Sequence, residues 1–230
     1  MTTRASTTTT RTDPVRPAPA RDCGLCPRLH DFRNRHRHAE PEWFNAPVPS
    51  FGPARARLVV VGLAPGLRGA NRTGRPFTGD FAGVLLYESL HALGLASHPG
   101  STSAHDALTL HGVRITNAVK CVPPANKPTP AEARACRGFL GGEIALHREA
   151  RVLFALGRIA HDSLLAALAV PRAACPFAHG AEHALPGGRW LVDSYHCSRY
   201  NTQTRRLTTA MFRGALGRAA VLAGLAPRKR

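Results

Sequence analysis

Four short apolar runs punctuate the chain, and each is followed by a stretch with helical character. Leu58-Val59-Val60-Val61 is the first, and its β-branching and length predict a buried strand over about Arg57–Leu63. Val113, Ile115 and Val119 mark a second over Val113–Lys120, ended by Cys121-Val122-Pro123-Pro124. The third covers Arg151–Leu156, closed by Gly157, and the fourth Arg189–Tyr195. Helices are expected over Val84–Leu93, from Thr129 onward, over about Ile159–Ala169, and from Thr208 or Thr209 through Leu222. Thr129, Pro130 and Glu132 form a capping box with proline at the first helical position. Pro171 to Gly188 reads as loop, and no internal repeat is visible. Strands alternating with helices predict an α/β fold: three layers, αβα, around a central four-stranded, mainly parallel sheet. The strand ends then gather Leu63–Pro65, Asn117–Lys120, Gly157 and His196.

The longest non-periodic stretch is Gly62 to Gly83, GLAPGLRGANRTGRPFTGDFAG, directly after the first strand. Loops after parallel strands are where open α/β sheets bind ligands. Long connections in compact domains are usually functional. Arg68, Arg72, Arg75, Asn71, Thr78, Asp80 and Phe77 suit an anionic ligand with a flat face, and Phe81, beside the helix start, is read as core. It is not a P-loop, since the stretch has no lysine and no G-x-x-x-x-G-K-[ST]. A histidine at the end of the fourth strand, His196, faces the same crevice.

Length changes the picture little: 230 residues fit one domain at 21–226, between a disordered basic tail at 1–20 and a basic end at 227–230. Charge changes it more. With 31 Lys+Arg against 14 Asp+Glu the net charge is +17, and nearly all cations are arginine. Such an excess points to a polyanion, foremost nucleic acid. The run Arg33–His38 is either a solvated helix face or a phosphate-contacting surface. No run approaches the roughly 18 apolar residues of a membrane span, and no secretory signal is visible, so a cytoplasmic, nucleoid-associated monomer is expected. Six cysteines include C-x-x-C at Cys23 and Cys26, and Cys121 and Cys136 farther on. Two spaced pairs in a cytosolic chain read as a metal site, either zinc or iron–sulfur. Cys175 and Cys197 have no motif partner, and Cys197 is read as a loop residue.

GLAPG-x-x-GANRTGRPFTGD, the run Ile115–Pro124 (ITNAVKCVPP) and HCSRYNTQTRRLT resemble the three motifs of the uracil-DNA glycosylase superfamily, most closely family 5, the UDGb type. The likeness spans about Cys23 to Leu216. It departs at Cys197, where proline is usual, and at Arg205, where glycine is usual. Leu63 stands where family 4 carries an acidic residue, which argues for family 5. The resemblance implies an enzyme that flips uracil, and hypoxanthine or xanthine, out of DNA and hydrolyses the N-glycosidic bond. A glycosylase mainly for deaminated purines and a non-catalytic iron–sulfur DNA-binding protein are the alternatives. It implies Asp80, Asn117 and His196 as catalytic residues, and a base pocket of Gly62, Leu63, Ala64, Pro65, Gly66 and Phe77 with Asn117 and His196. DNA contacts are expected from Asn71, Arg72, Arg75, Ser198, Arg199, Tyr200, Asn201 and Thr202. Cys23, Cys26, Cys121 and Cys136 resemble the family's [4Fe-4S] ligands.

Overall fold

The computed structural model describes residues 18–225; residues 1–17 of the expected tail at 1–20, and the basic end at 227–230, lie outside them. Strands β1 (Leu58–Gly62), β2 (Val113–Asn117), β3 (Val152–Leu156), β4 (Glu182–Leu185) and β5 (Arg189–Ser194) form one sheet in the order β2-β1-β3-β5-β4. All neighbours are parallel except β4 and β5. Val60 stands between Ile115 and Phe154, and Phe154 is in turn opposite Val192. Every residue of β1 and β3 is buried, the signature of central parallel strands covered on both faces.

Alternation along β1 feeds two cores. Leu58 and Val60 join Leu86 and Leu90 of α3 (Phe81–Ala92) and Phe212 and Leu216 of α7 (Thr209–Leu222). Val59 and Val61 face Leu140 and Ile144 of α4 (Pro130–Leu146) and Leu164 and Leu165 of α5 (Arg158–Ala167). The three layers expected from the pattern are thus present. The capping box is also made: Thr129 Oγ1 accepts from the Glu132 amide at 3.2 Å, and Glu132 Oε2 accepts from the Thr129 amide at 2.7 Å. Glu132 further accepts two bonds from Arg28, which ties α1 (Pro27–Ala39) to α4.

The sheet has five strands rather than four. The segment read as loop, Pro171 to Gly188, contains a short 3-10 turn and the edge strand β4. Its Glu-His-Ala-Leu has no β-branched residue, so nothing in its composition marks a strand. It forms because Gly187 and Gly188, both at positive φ, fold the chain back onto β5. The basic run of α1 is neither a free face nor a phosphate surface throughout. Arg33 is completely buried, donating to Cys121 Sγ and to the Cys23 carbonyl, and Arg37 holds the Asn45 and Arg21 carbonyls. Cys197 does lie in the connection after β5, as expected, but it is fully buried in the α3/α7 core.

Candidate active site

The chain runs from β1 to β2 on one side and then crosses to β3 on the other, so β1 and β3 meet at a topological switch point. Ligands bind outside the carboxyl ends of strands at such points. A cleft of about 650 Å3 opens there, lined by Leu63 to Ala70, Phe77, Asp80, Asn117, His196, Ser198 and Arg199 among others. Of the expected strand-end residues, Leu63–Pro65, Asn117 and His196 line the cleft and Gly157 lies just behind His196; Ala118 and Val119 pack into the core instead, and Lys120 is buried in a pair with Glu143 at 2.6 Å.

Gly62 is glycine because two side chains occupy its Cβ position. A methyl there would lie 2.5 Å from the Phe77 ring and 2.5 Å from Asn117 Oδ1. Phe77 sits at φ 56°, a left-handed backbone that costs a non-glycine residue roughly 1–3 kcal/mol. Its neighbours hold it there: Tyr87 Oη donates to the Pro76 carbonyl at 2.8 Å, and Gly83, in the first turn of α3, lies directly against the Phe77 carbonyl. The Phe77 and His196 ring centroids are 6.4 Å apart at 32°. Asn117 is almost fully buried, and its Oδ1 has no partner among the described residues.

Asp80 is the N-cap of α3. Its Oδ1 accepts from the Gly83 amide at 2.9 Å, the capping role that competes with a catalytic one. Its other oxygen faces the glycine-rich segment, where Cβ atoms at Gly69 and Gly66 would stand 2.7 and 3.3 Å from Oδ2. Burial raises the Asp80 carboxyl above its usual range, while the Gly83 and Ala82 amides pull it back. Burial lowers His196 to about 4, so the imidazole is neutral at physiological pH. Asn201 donates from Nδ2 to the His196 carbonyl at 2.8 Å and so fixes that turn. Burial, with the Asp80 charge adding, pushes the Cys197 thiol up to about 12, which leaves it protonated and inert.

Two expected DNA contacts are withdrawn. Asn71, in the single turn α2 (Ala70–Thr73), is fully buried and donates to Asn45 Oδ1 at 2.8 Å. Arg75 is buried over the Phe51 ring, bonded to Ser101, Asp106 and the Ala104 carbonyl. Both side chains are thus engaged inside the fold. Arg72, Arg199 and Tyr200 are exposed, Tyr200 by 69 %. Ser198 caps α6 (Arg199–Gln203), and the Thr202 hydroxyl bonds back to carbonyls of that same turn. Arg205 adopts φ 56°, the conformation for which the usual glycine is suited. Phe81 is not core. It is 40 % exposed at the cleft mouth, under the Arg199 guanidinium at 5.2 Å. The sequence carries the signal: Phe81, Val84 and Glu88 share one helix face, and Glu88 marks that face as outward. Asn126, left-handed with its neighbour Ala125, also lines the cleft and was not anticipated.

Residues 49–219 match the family model described as Uracil DNA glycosylase superfamily. The chain belongs to that superfamily. It is 53 % identical to a "Type-5 uracil-DNA glycosylase" of Thermus thermophilus, over 88 % of this chain and 94 % of that protein. A protein of the same description from Pyrobaculum aerophilum is 41 % identical over 88 % and 90 %. A "Type-4 uracil-DNA glycosylase" of that organism is 35 % identical over 63 % and 60 %. The superfamily's three-layer α/β architecture is the one described above.

Among the described residues, no helix is long and apolar enough to cross a membrane. Nor is any group of three or more His, Cys, Asp or Glu gathered to hold a single metal ion. Cys23, Cys26, Cys121 and Cys136 nevertheless line one small cavity between α1, α4 and the segment after β2. Two N–H donors already point at these sulfurs: Arg33 Nη1 at 3.0 Å from Cys121 Sγ and the Lys120 amide at 3.4 Å from Cys136 Sγ.

Proposed function

We propose that this chain is a monofunctional uracil-DNA glycosylase, acting on uracil and on hypoxanthine and xanthine in DNA and leaving an abasic site. The observation that carries the reading is Asn117 Oδ1, buried at the cleft beside the Phe77 ring and without a partner among the described residues. Unpaired buried polar atoms are costly, and a flipped base would satisfy this one. The base stacks on Phe77, and the Asn117 amide pairs with the O4/N3 edge of uracil. Neutral His196 donates to O2 as the C1′–N1 bond breaks and its electron pair moves onto the base. The sugar becomes oxocarbenium-like, and the Asp80 carboxylate stabilises it and orients the water that adds to C1′. Asp80 can do this with the oxygen its capping bond leaves free. A cleft of about 650 Å3 also accommodates a purine, which supports the wider base range.

Uracil- and hypoxanthine-containing oligonucleotides, cut with alkali after incubation, test the reading. Cleavage at uracil supports it, hypoxanthine alone marks a purine enzyme, and neither leaves a DNA-binding protein. Asp80→Asn and His196→Ala should each lower single-turnover excision roughly 10²–10³-fold with nearly normal binding.

Cys23, Cys26, Cys121 and Cys136 would hold a [4Fe-4S] cluster, which fits four thiols lining one cavity. The cluster would supply a cross-link between α1 and the segment after β2. DNA contacts fall to Arg72, Ser198, Arg199 and Tyr200, and the protein acts as a monomer. Brown protein with about four irons per chain is expected; colourless protein with stoichiometric zinc overturns the cofactor.

A further inference from the structure

The amino end of the sheet carries a second concavity of about 460 Å3, and its polar lining includes Arg148, Arg151 and Arg189. The strand register builds it. Leu58 pairs with Val152 and Val152 with Trp190, so the preceding residues Arg57, Arg151 and Arg189 stand abreast on three neighbouring strands. The ladder continues through them: the Arg151 amide donates to the Arg57 carbonyl at 2.9 Å and the Trp190 amide to the Arg151 carbonyl at 2.8 Å. Adjacent strands are about 4.8 Å apart. The Arg57 and Arg151 guanidinium groups meet over Gly224, 3.3 and 3.9 Å from the place a Cβ would take there. Arg148 and Arg151 are exposed. Among the described residues, Arg57, Arg148 and Arg151 have no ion-pair partner. Glu149, the neighbouring carboxylate, lies 3.6 Å from Arg55 instead.

Like charges set side by side on a sheet destabilise it, so this edge gains from an anion. The surplus of cations is large, a net +17 over the chain. Guanidinium groups set in a row across neighbouring strands match the repeating phosphates of an extended polyanion. It is not the strand held by the base cleft. Strands of five residues at about 3.3 Å each put the two sheet ends roughly 17 Å apart, with the whole layer between them.

We propose that Arg57, Arg148, Arg151 and Arg189 form a second phosphate-binding site that takes the backbone of another DNA segment. One protein molecule then touches two segments at once, and can pass between them without entering free solution.

The test uses the full chain. An immobilised duplex is saturated with protein, washed, and offered a labelled undamaged duplex. Wild type should retain the label, and Arg148→Glu/Arg151→Glu should retain less than about a tenth. The log–log salt slope for duplex binding should fall by about 2, for two phosphates at about 0.9 each. Single-turnover excision from a short single-stranded uracil oligonucleotide should stay within about twofold. Should the reversal variant melt early, Arg148→Ser/Arg151→Ser is expected to show the same drop in slope. Equal bridging by wild type and variant, or an unchanged slope, overturns the proposal. So does stabilisation of wild type but not variant by polyglutamate in place of DNA, which would make the partner an acidic protein. Wild type that bridges but excises nothing refutes the glycosylase reading and leaves this site standing.

Discussion

Replacing Gly62 with alanine separates packing from chemistry in the cleft. The new methyl would arrive 2.5 Å from both the Phe77 ring and Asn117 Oδ1. Ordinary contact needs about 3.4 Å or more, so each group must retreat by close to 1 Å. The backbone offers no relief, because Gly62 is the hydrogen-bonded end of β1, opposite Asn117. Overpacking of this kind costs about 1–3 kcal/mol. For a domain of this size that lowers the melting temperature by roughly 2–12 °C. The larger effect falls on turnover, since a 1 Å misplacement of positioning groups can cost about 10²-fold in rate. Gly62→Ala is therefore expected to fold, melt lower, and excise uracil about a hundredfold more slowly in single-turnover assays. Gly214→Ala is the control: it lies exposed within α7 with nothing within 4 Å of its Cβ position, and should raise stability by about 0.5–1 kcal/mol. If Gly62→Ala excises within threefold of wild type, Phe77 and Asn117 are not the groups that hold the base.

Three further expectations follow from the same geometry. His196 takes its proton near pH 4 in the folded chain but near 6.5 when unfolded, so the unfolded state binds more protons in between. Stability should fall as pH drops from about 6.5 to about 4, and His196→Gln should flatten that limb of a urea-midpoint profile; identical limbs refute the burial account. Because His196 assists a departing base anion, His196→Ala should be hurt less on 5-fluorouracil than on uracil, whereas Asp80→Asn should lose similarly on both. Arg33→Met removes the bonds to Cys121 Sγ and the Cys23 carbonyl, and should cost about 2–4 kcal/mol along with most of the iron; full iron content and an unchanged melt would count against the Cys cavity as the cluster site.

Much of the fold is legible wherever hydrophobic pattern and local chemistry agree. The runs at Leu58, Val113, Val152 and Trp190 are strands whose apolar residues feed the two cores, wholly buried in β1 and β3 and mostly so in β2 and β5, and Thr129 with Glu132 caps α4 as its spacing demands. The strand β4 was not legible, because its pairing comes from a turn and a neighbour rather than from its own residues. In the site, strand ends fixed by topology brought Asn117 and His196 beside the glycine-rich stretch. Arginine was the weak point. Arg75 and Arg199 read alike in sequence, yet Asp106 and Phe51, distant in the chain, draw the first inside. Arg33 is drawn in by Cys121 in the same way. Burial of a cation depends on a partner the local sequence does not contain. Phe81 erred in the opposite sense, since an apolar residue at a helix start tells little about which way that first turn faces.

The Arg75 clamp has a mechanical consequence. Its guanidinium is stacked on Phe51 and bonded to the Ser101–Asp106 segment, and it lies two residues before Phe77 in the chain. The strained turn carrying Phe77 is thereby braced from outside the cleft, and its conformational entropy was surrendered when the chain folded. Nothing in that turn is left to order when a nucleotide arrives. The motion that joins base and cleft must then come from the nucleic acid, and the looseness of a base in its own helix, more than any closure of the protein around it, would set how often the encounter succeeds.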